Sequence, residues 1–171
     1  MAKDESVLVF TYKGLESLIK FNGSQSWKLN RKRALDCKYL ICSNNTNHVL
    51  SENLNDHGQA FLVAKISNIS RPLGTIFDDR WIIEFSEYAA INVPNFWKSW
   101  RNPVIYLPNS EIEIDFESLV FTPVPDRDFE HIEEVDKKER KYLNLPPLNE
   151  VHASANQDHK NSTDFLGVLI K

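Results

Sequence analysis

Glycine is scarce in this chain, five residues in 171, so phosphate-cradling loops have little to be built from. Neither G-x-x-x-x-G-K-[ST] nor G-x-G-x-x-G occurs. G-x-S-x-G and H-E-x-x-H are missing too, which removes the nucleophile elbow and the zinc-protease helix as readings. Cysteine is limited to Cys37 and Cys42. A C-x4-C pair with no His or further Cys nearby is a poor zinc site and no disulfide framework, so both are expected as buried free thiols in a reducing compartment. No apolar run approaches the roughly 20 residues that span a bilayer, and the charged start Met-Ala-Lys-Asp-Glu-Ser lacks the apolar core of a secretory signal. These absences point to a cytoplasmic protein (nuclear in a eukaryote) with no metal, cofactor or membrane partner.

What is present is enough apolar material, 42% of residues, for one good core. Charge is divided unevenly. Residues 1 to 110 hold 13 Lys/Arg against 10 Asp/Glu, whereas residues 111 to 150 hold 5 against 12. The front of the chain can therefore face an anion and the back cannot. Its densest basic run is Lys28, Arg31, Lys32, Arg33 and Lys38, which is either a solvated helix face or a phosphate contact.

Local patterns suggest an α+β domain over residues 1–122. Val7 to Tyr12 is a short β-rich run, Leu15 to Lys20 a helical face stopped by Asn22-Gly23, and Ser24 to Trp27 a polar loop. A basic helix over Lys28 to Asp36 precedes a strand at Lys38 to Ser43, and residues 44 to 58 form a polar loop. Gln59 to Ser67 and Arg80 to Ser86 read as strands, Pro94 to Trp100 as a helical turn, and Val104 to Leu107 as extended. Ser110 to Glu117 alternates apolar and acidic residues in the manner of a strand, and Leu119 to Phe121 looks buried. Residues 123–149 form an acidic extension with a possible helix, and 150–171 a polar, disordered tail with the apolar end Phe165 to Ile170.

The aromatics carry the most functional information. Of the four tryptophans, Trp27, Trp81 and Trp100 each neighbour a cation, at Lys28, Arg80 and Arg101. Aromatic faces, polar groups at an edge and cations on phosphates are the three means of gripping a base. Trp81 lies within an apolar strand and is expected in the core. Trp97 and Trp100, three apart, are expected on one face of a helical turn packed against the domain. That leaves one Trp100 edge with Arg101 and Asn102 at a pocket rim.

The order of these pieces resembles the PUA-like superfamily, and within it the EVE and YTH domains. The carriers are the Val7 strand and helix, "GSQSW" at 23 to 27, "KYLICSNN" at 38 to 45 and "GQAFLVAKISNI" at 58 to 69. They continue with "RWIIEF" at 80 to 85, "NPVIYLPNSEIEI" at 102 to 114 and "ESLVF" at 117 to 121 as the closing strand. The resemblance spans about residues 6 to 122 and implies a small, strongly curved β-barrel flanked by short helices. It further implies binding of nucleic acid, DNA or RNA, with a modified base flipped into an aromatic pocket. Trp27 falls at the matched pocket tryptophan and would stack, with Ser43 and Asn44 reading an edge. The loop from Ser70 to Asp79 would supply the opposing wall, where it offers Phe77. Lys28, Arg31, Lys32 and Arg101 would meet phosphates.

Two other readings stand beside this one. Residues 123–171 suit a protein-interaction or regulatory module. A nucleotide-processing or nucleic-acid-processing enzyme would have to use His48, His57 or Glu87, none of them set in a catalytic motif, and strand alternation sends Glu84 to the face opposite Glu87.

Overall fold

Three consecutive residues show how the domain is built. Val7, Leu8 and Val9 are all fully buried, Val7 and Val9 in one apolar cluster and Leu8 in another. Successive side chains of a strand point to opposite faces, so this strand lies in the middle of a sheet covered on both sides. The structure, a computed structural model, describes residues 3–52, 54–71, 79–125 and 141.

In chain order the elements are β1 (Lys3–Thr11), α1 (Leu15–Phe21), β2 (Gly23–Lys28), α2 (Arg31–Asp36), β3 (Cys37–Asn44), β4 (Ala60–Ser70), β5 (Arg80–Val93), β6 (Val104–Pro108) and β7 (Thr122–Pro123). They make one mixed sheet in the order β2-β5-β4-β3-β1-β6, with β7 on the outer edge of β5. The central pair β1 and β3 is parallel, with Phe10 opposite Ser43 and Thr11 opposite Asn44, and all other pairings are antiparallel. Three register shifts between β4 and β5 bend the long β5, which then pairs with β2 through residues 80–84 and with β7 at Glu87 and Tyr88.

The α+β class and the early helices agree with the sequence reading, but the barrel does not form. Strands β2 and β6 end the sheet without pairing to each other. A barrel buries one face of its sheet around its own axis, whereas here both faces are covered from outside. On one face Leu18 of α1, Ala34 of α2 and Trp27 cover Val7, Val9, Leu40, Cys42 and Leu62. On the other, Phe96, Ile112 and partly buried Trp97, Trp100, Phe116 and Phe121 cover Leu8, Tyr39, Ile41 and Val63.

Four local expectations also change. Ser24 to Trp27 is strand, not loop, because its backbone completes the outer edge of β5. Pro94 to Trp100 holds no helical turn: Asn95 and Ser99 both have positive φ, 53° and 62°, which breaks any helix. Ser110 to Glu117 is not a strand but runs through two short 3-10 turns. Its apolar residues Ile112, Ile114 and Phe116 nevertheless all pack on the same cluster. The expected closing strand at 117–121 is replaced by β7, and Val124 N–H still donates to Ser86 O, just past the expected boundary at 122. The acidic helix and the 150–171 tail lie outside the described residues.

Candidate functional site

The carboxyl ends of β1 and β3 meet the connection that leaves β5. Gly58, with φ 79°, donates its N–H to Asn44 O, and its own carbonyl accepts from both Phe96 and Trp97. This one glycine therefore ties the β3–β4 loop to the segment carrying the tryptophans. Around the tie lies a cavity of about 260 Å³ lined by Phe10, His57, Gly58, Asn95, Trp97, Ser99 and Trp100.

The walls are set by aromatic geometry. Phe10 and Trp97 are stacked, centroids 4.7 Å apart and planes within 5°. Trp97 and Trp100 meet edge to face at 4.9 Å and 87°, and His57 meets Phe10 edge to face at 5.2 Å. Such arrangements follow the ring quadrupole and hold the faces at fixed angles. The Trp97 indole N–H donates to Trp100 O at 3.3 Å, which fixes the pair. Among the described residues four carry positive φ, and three of them, Gly58, Asn95 and Ser99, line this cavity. Strained backbone held by surrounding structure concentrates where geometry matters for function.

The expected site residues separate. Trp27 is a core residue, 9% exposed, with its indole N–H on Ser24 Oγ at 2.8 Å and its backbone opposite Trp81. It packs in the cluster on the face of the sheet away from Trp97 and Trp100. Ser43 and Asn44 are both fully buried, and Ser43 Oγ, Asn44 Oδ1 and Asn44 Nδ2 have no hydrogen-bond partner among the described residues. Ser43 is the register partner of Phe10, so strand alternation puts its hydroxyl on the cavity's side of the sheet. Trp100 lines the cavity as expected, while Asn102 uses its Oδ1 to accept the Val104 N–H at 3.0 Å and so starts β6. Phe77 lies outside the described residues.

The basic run is largely engaged within the domain. Lys28 pairs with Asp79 at 3.8 Å, Arg31 Nε donates to Ile69 O at 3.1 Å beneath its stack on Trp81, and Arg33 binds Glu5. The hydrogen bond to Glu5 raises the Arg33 guanidinium above its ordinary range. Lys32 is exposed and makes no ion pair or hydrogen bond among the described residues. Helix α2 precedes β3 and the cavity follows it, about 20 Å of strand away and on the opposite face. One nucleotide cannot touch both. Lys98 is exposed and donates its Nζ to Asn95 O at 2.9 Å, beside the cavity, and exposed Arg101 follows the lining residue Trp100 in the chain.

The enzyme candidates show no shared centre. His48 stacks on Tyr12, His57 meets Phe10 edge to face, Glu84 accepts from Asn68, and Glu87 pairs with Lys65. Cys37 and Cys42 are free and buried, and burial pushes the Cys42 thiol far up. No cluster of His, Cys, Asp and Glu suited to a metal occurs among the described residues, and no described helix is long and apolar enough to cross a membrane.

Sequence reasoning missed Phe10, Gly58, Asn95, Trp97 and Ser99, and it offers His57 only as an enzyme candidate. The available signal was the stretch "NVPNFWKSWR", where the tryptophans look like core packing when a helix is assumed. Fold and cavity together define an α+β domain built on one open mixed sheet with an aromatic pocket at its carboxyl end. No family model, curated protein or solved structure matches the chain.

Proposed function

We propose that this domain binds nucleic acid by taking one base into the cavity that Phe10, Trp97 and Trp100 help to line. The observation that carries the reading is the conjunction of stacked and perpendicular aromatic faces with three positive-φ residues around a 260 Å³ space. A base needs a flat apolar wall, and stacking on such a wall contributes roughly 1–3 kcal/mol. Lys98, against the lining residue Asn95, and Arg101, next to Trp100 in the chain, supply charge for the flanking phosphates, a contact without sequence preference. The base enters from a single strand or by flipping from a duplex, and a modified base is within the same chemistry. Kinship to PUA-like domains of the EVE and YTH type is part of this proposal; it rests on the order of the sequence segments, with an open sheet in place of the barrel. Trp27, Asn102, Lys28 and Arg31 are not part of the proposed site.

The test is binding of fluorescent single-stranded DNA and RNA, plain and base-modified, at 50 and 200 mM salt. Salt-sensitive binding that is lost in Trp97→Ala and kept in Trp27→Phe is the expected result. Binding that Trp97→Ala leaves intact, or no binding at all, overturns it.

A further inference from the structure

His57 is the one titratable side chain among the residues lining the cavity. Its Nδ1 lies 3.2 Å from Thr46 N and 3.2 Å from Thr46 Oγ1. A main-chain N–H can only donate, so Nδ1 must be the acceptor, and in the neutral ring the proton is then on Nε2. The edge contact with Phe10, planes at 71°, sets the direction of the ring. Nε2–H has no hydrogen-bond partner among the described residues. His57, which lines the cavity, thus carries a donor whose tautomer is fixed by the loop backbone.

Cations outnumber carboxylates near the lining residues. No lining residue is acidic. Lys98 donates its Nζ to Asn95 O, exposed Arg101 follows Trp100 in the chain, and one exposed carboxylate, Asp56, precedes His57 in the β3–β4 loop. Aromatic faces alone attract cations, but no carboxylate lines this cavity to hold one, and Lys98 lies against its lining residue Asn95.

We infer that His57 is the specificity-determining donor of this cavity, selecting an uncharged planar ring that offers a nitrogen or carbonyl acceptor and disfavouring cationic rings such as N7-alkylated purines. The inference rests on the base-binding reading and narrows it to a ligand class. An N7-methylpurine loses one acceptor and brings positive charge to a cavity that no carboxylate lines. A neutral purine meets the Nε2 donor without either cost.

The experiment uses the full chain with guanosine and N7-methylguanosine as probes, followed by calorimetry, together with nitrogen-detected NMR of the His57 ring at pH 8. The expected spectrum has Nδ1 of the unprotonated type and Nε2 of the protonated type. His57→Leu should weaken guanosine about fivefold to tenfold, the scale of one net hydrogen bond. His57→Gln, whose amide can donate from a similar place, should stay within about threefold of the parent. N7-methylguanosine should bind more weakly than guanosine. The opposite tautomer, guanosine affinity unchanged in His57→Leu, or preference for N7-methylguanosine overturns the inference. If Trp97→Ala still abolishes binding in that case, the base-binding reading survives. Failure of both nucleosides to bind the parent chain overturns the two together.

Discussion

Phe10 and Trp97 face each other in a parallel stack at 4.7 Å, one ring fixed on the central strand β1 and the other on an irregular segment held by Gly58 O. The two rings reach this contact from 87 residues apart, so neither sequence neighbourhood announces it. The rigid half of the site belongs to the sheet. The adaptable half belongs to the connection 94–100, where backbone turns at Asn95 and Ser99 aim the indole.

If that stack is the binding wall, Trp97→Ala should weaken an oligonucleotide by about 5-fold to 150-fold, the range of one stacked base. Trp97→Phe should retain most of the affinity because a flat face remains. Anisotropy titrations of both variants against the parent measure this, with far-ultraviolet dichroism confirming that the sheet is intact.

Trp27 should behave in the opposite way. Its ring is core and its indole N–H is satisfied by Ser24, so Trp27→Ala should lower stability by about 3–5 kcal/mol. Trp27→Phe should cost less and leave oligonucleotide affinity within about twofold. Urea unfolding and the same titrations separate the two effects, and a binding defect in a stable Trp27→Phe would return this residue to the site.

The contrast between these tryptophans shows what was legible in the sequence. Apolar runs on β1, β3, β4 and β5 were readable because alternation and β-rich composition act over a few residues. The helix C-cap at Asn22 and the turn at 44–47 were readable for the same reason. Three-apart spacing of Trp97 and Trp100 suggested a helix, yet left-handed residues at 95 and 99 override spacing, and no local pattern encodes them. Closure into a barrel was equally illegible, because it depends on whether two terminal strands meet after the whole sheet has bent.

Gly58→Ala tests the tie between the loop and the tryptophans. Space is not the obstacle, since an added Cβ would lie 3.8 Å from Trp97 Cβ; the φ of 79° is. The variant should lose about 1–2 kcal/mol and also weaken ligand binding, because Gly58 O positions Trp97. Unchanged binding in a measurably less stable variant would separate the tie from the site.

Asn44 is fully buried with both side-chain polar atoms unpartnered among the described residues. Replacing such a group by an apolar one of similar size is close to neutral or stabilising, so Asn44→Leu should keep or raise the thermal midpoint. Asn44→Asp should be destabilised by several kcal/mol at pH 7, where burial disfavours the carboxylate. A carboxyl whose folded pKa is raised binds its proton more tightly in the folded state, so this variant should regain stability as pH falls from 7 to 5. Melting curves at the two pH values check it. A large loss in Asn44→Leu would mean that the amide is bonded to something the folded domain requires.

Cys42 supplies the alkaline counterpart. Burial pushes its thiol far up, whereas an unfolded cysteine titrates near 8.5. Above that pH the unfolded chain releases a proton that the folded chain keeps, so folding loses stability as pH rises, by about 1.4 kcal/mol per unit for one such thiol. From pH 8.5 to 10 the loss from Cys42 should approach about 2 kcal/mol, and Cys42→Val, which fills similar space without a titrating group, should lose that much less over the same interval. Other groups titrating in this range are common to both proteins and cancel in the difference. Urea unfolding of parent and variant at the two pH values measures it; equal losses would place the thiol in contact with water and contradict the packing of β3 against β1 and β4.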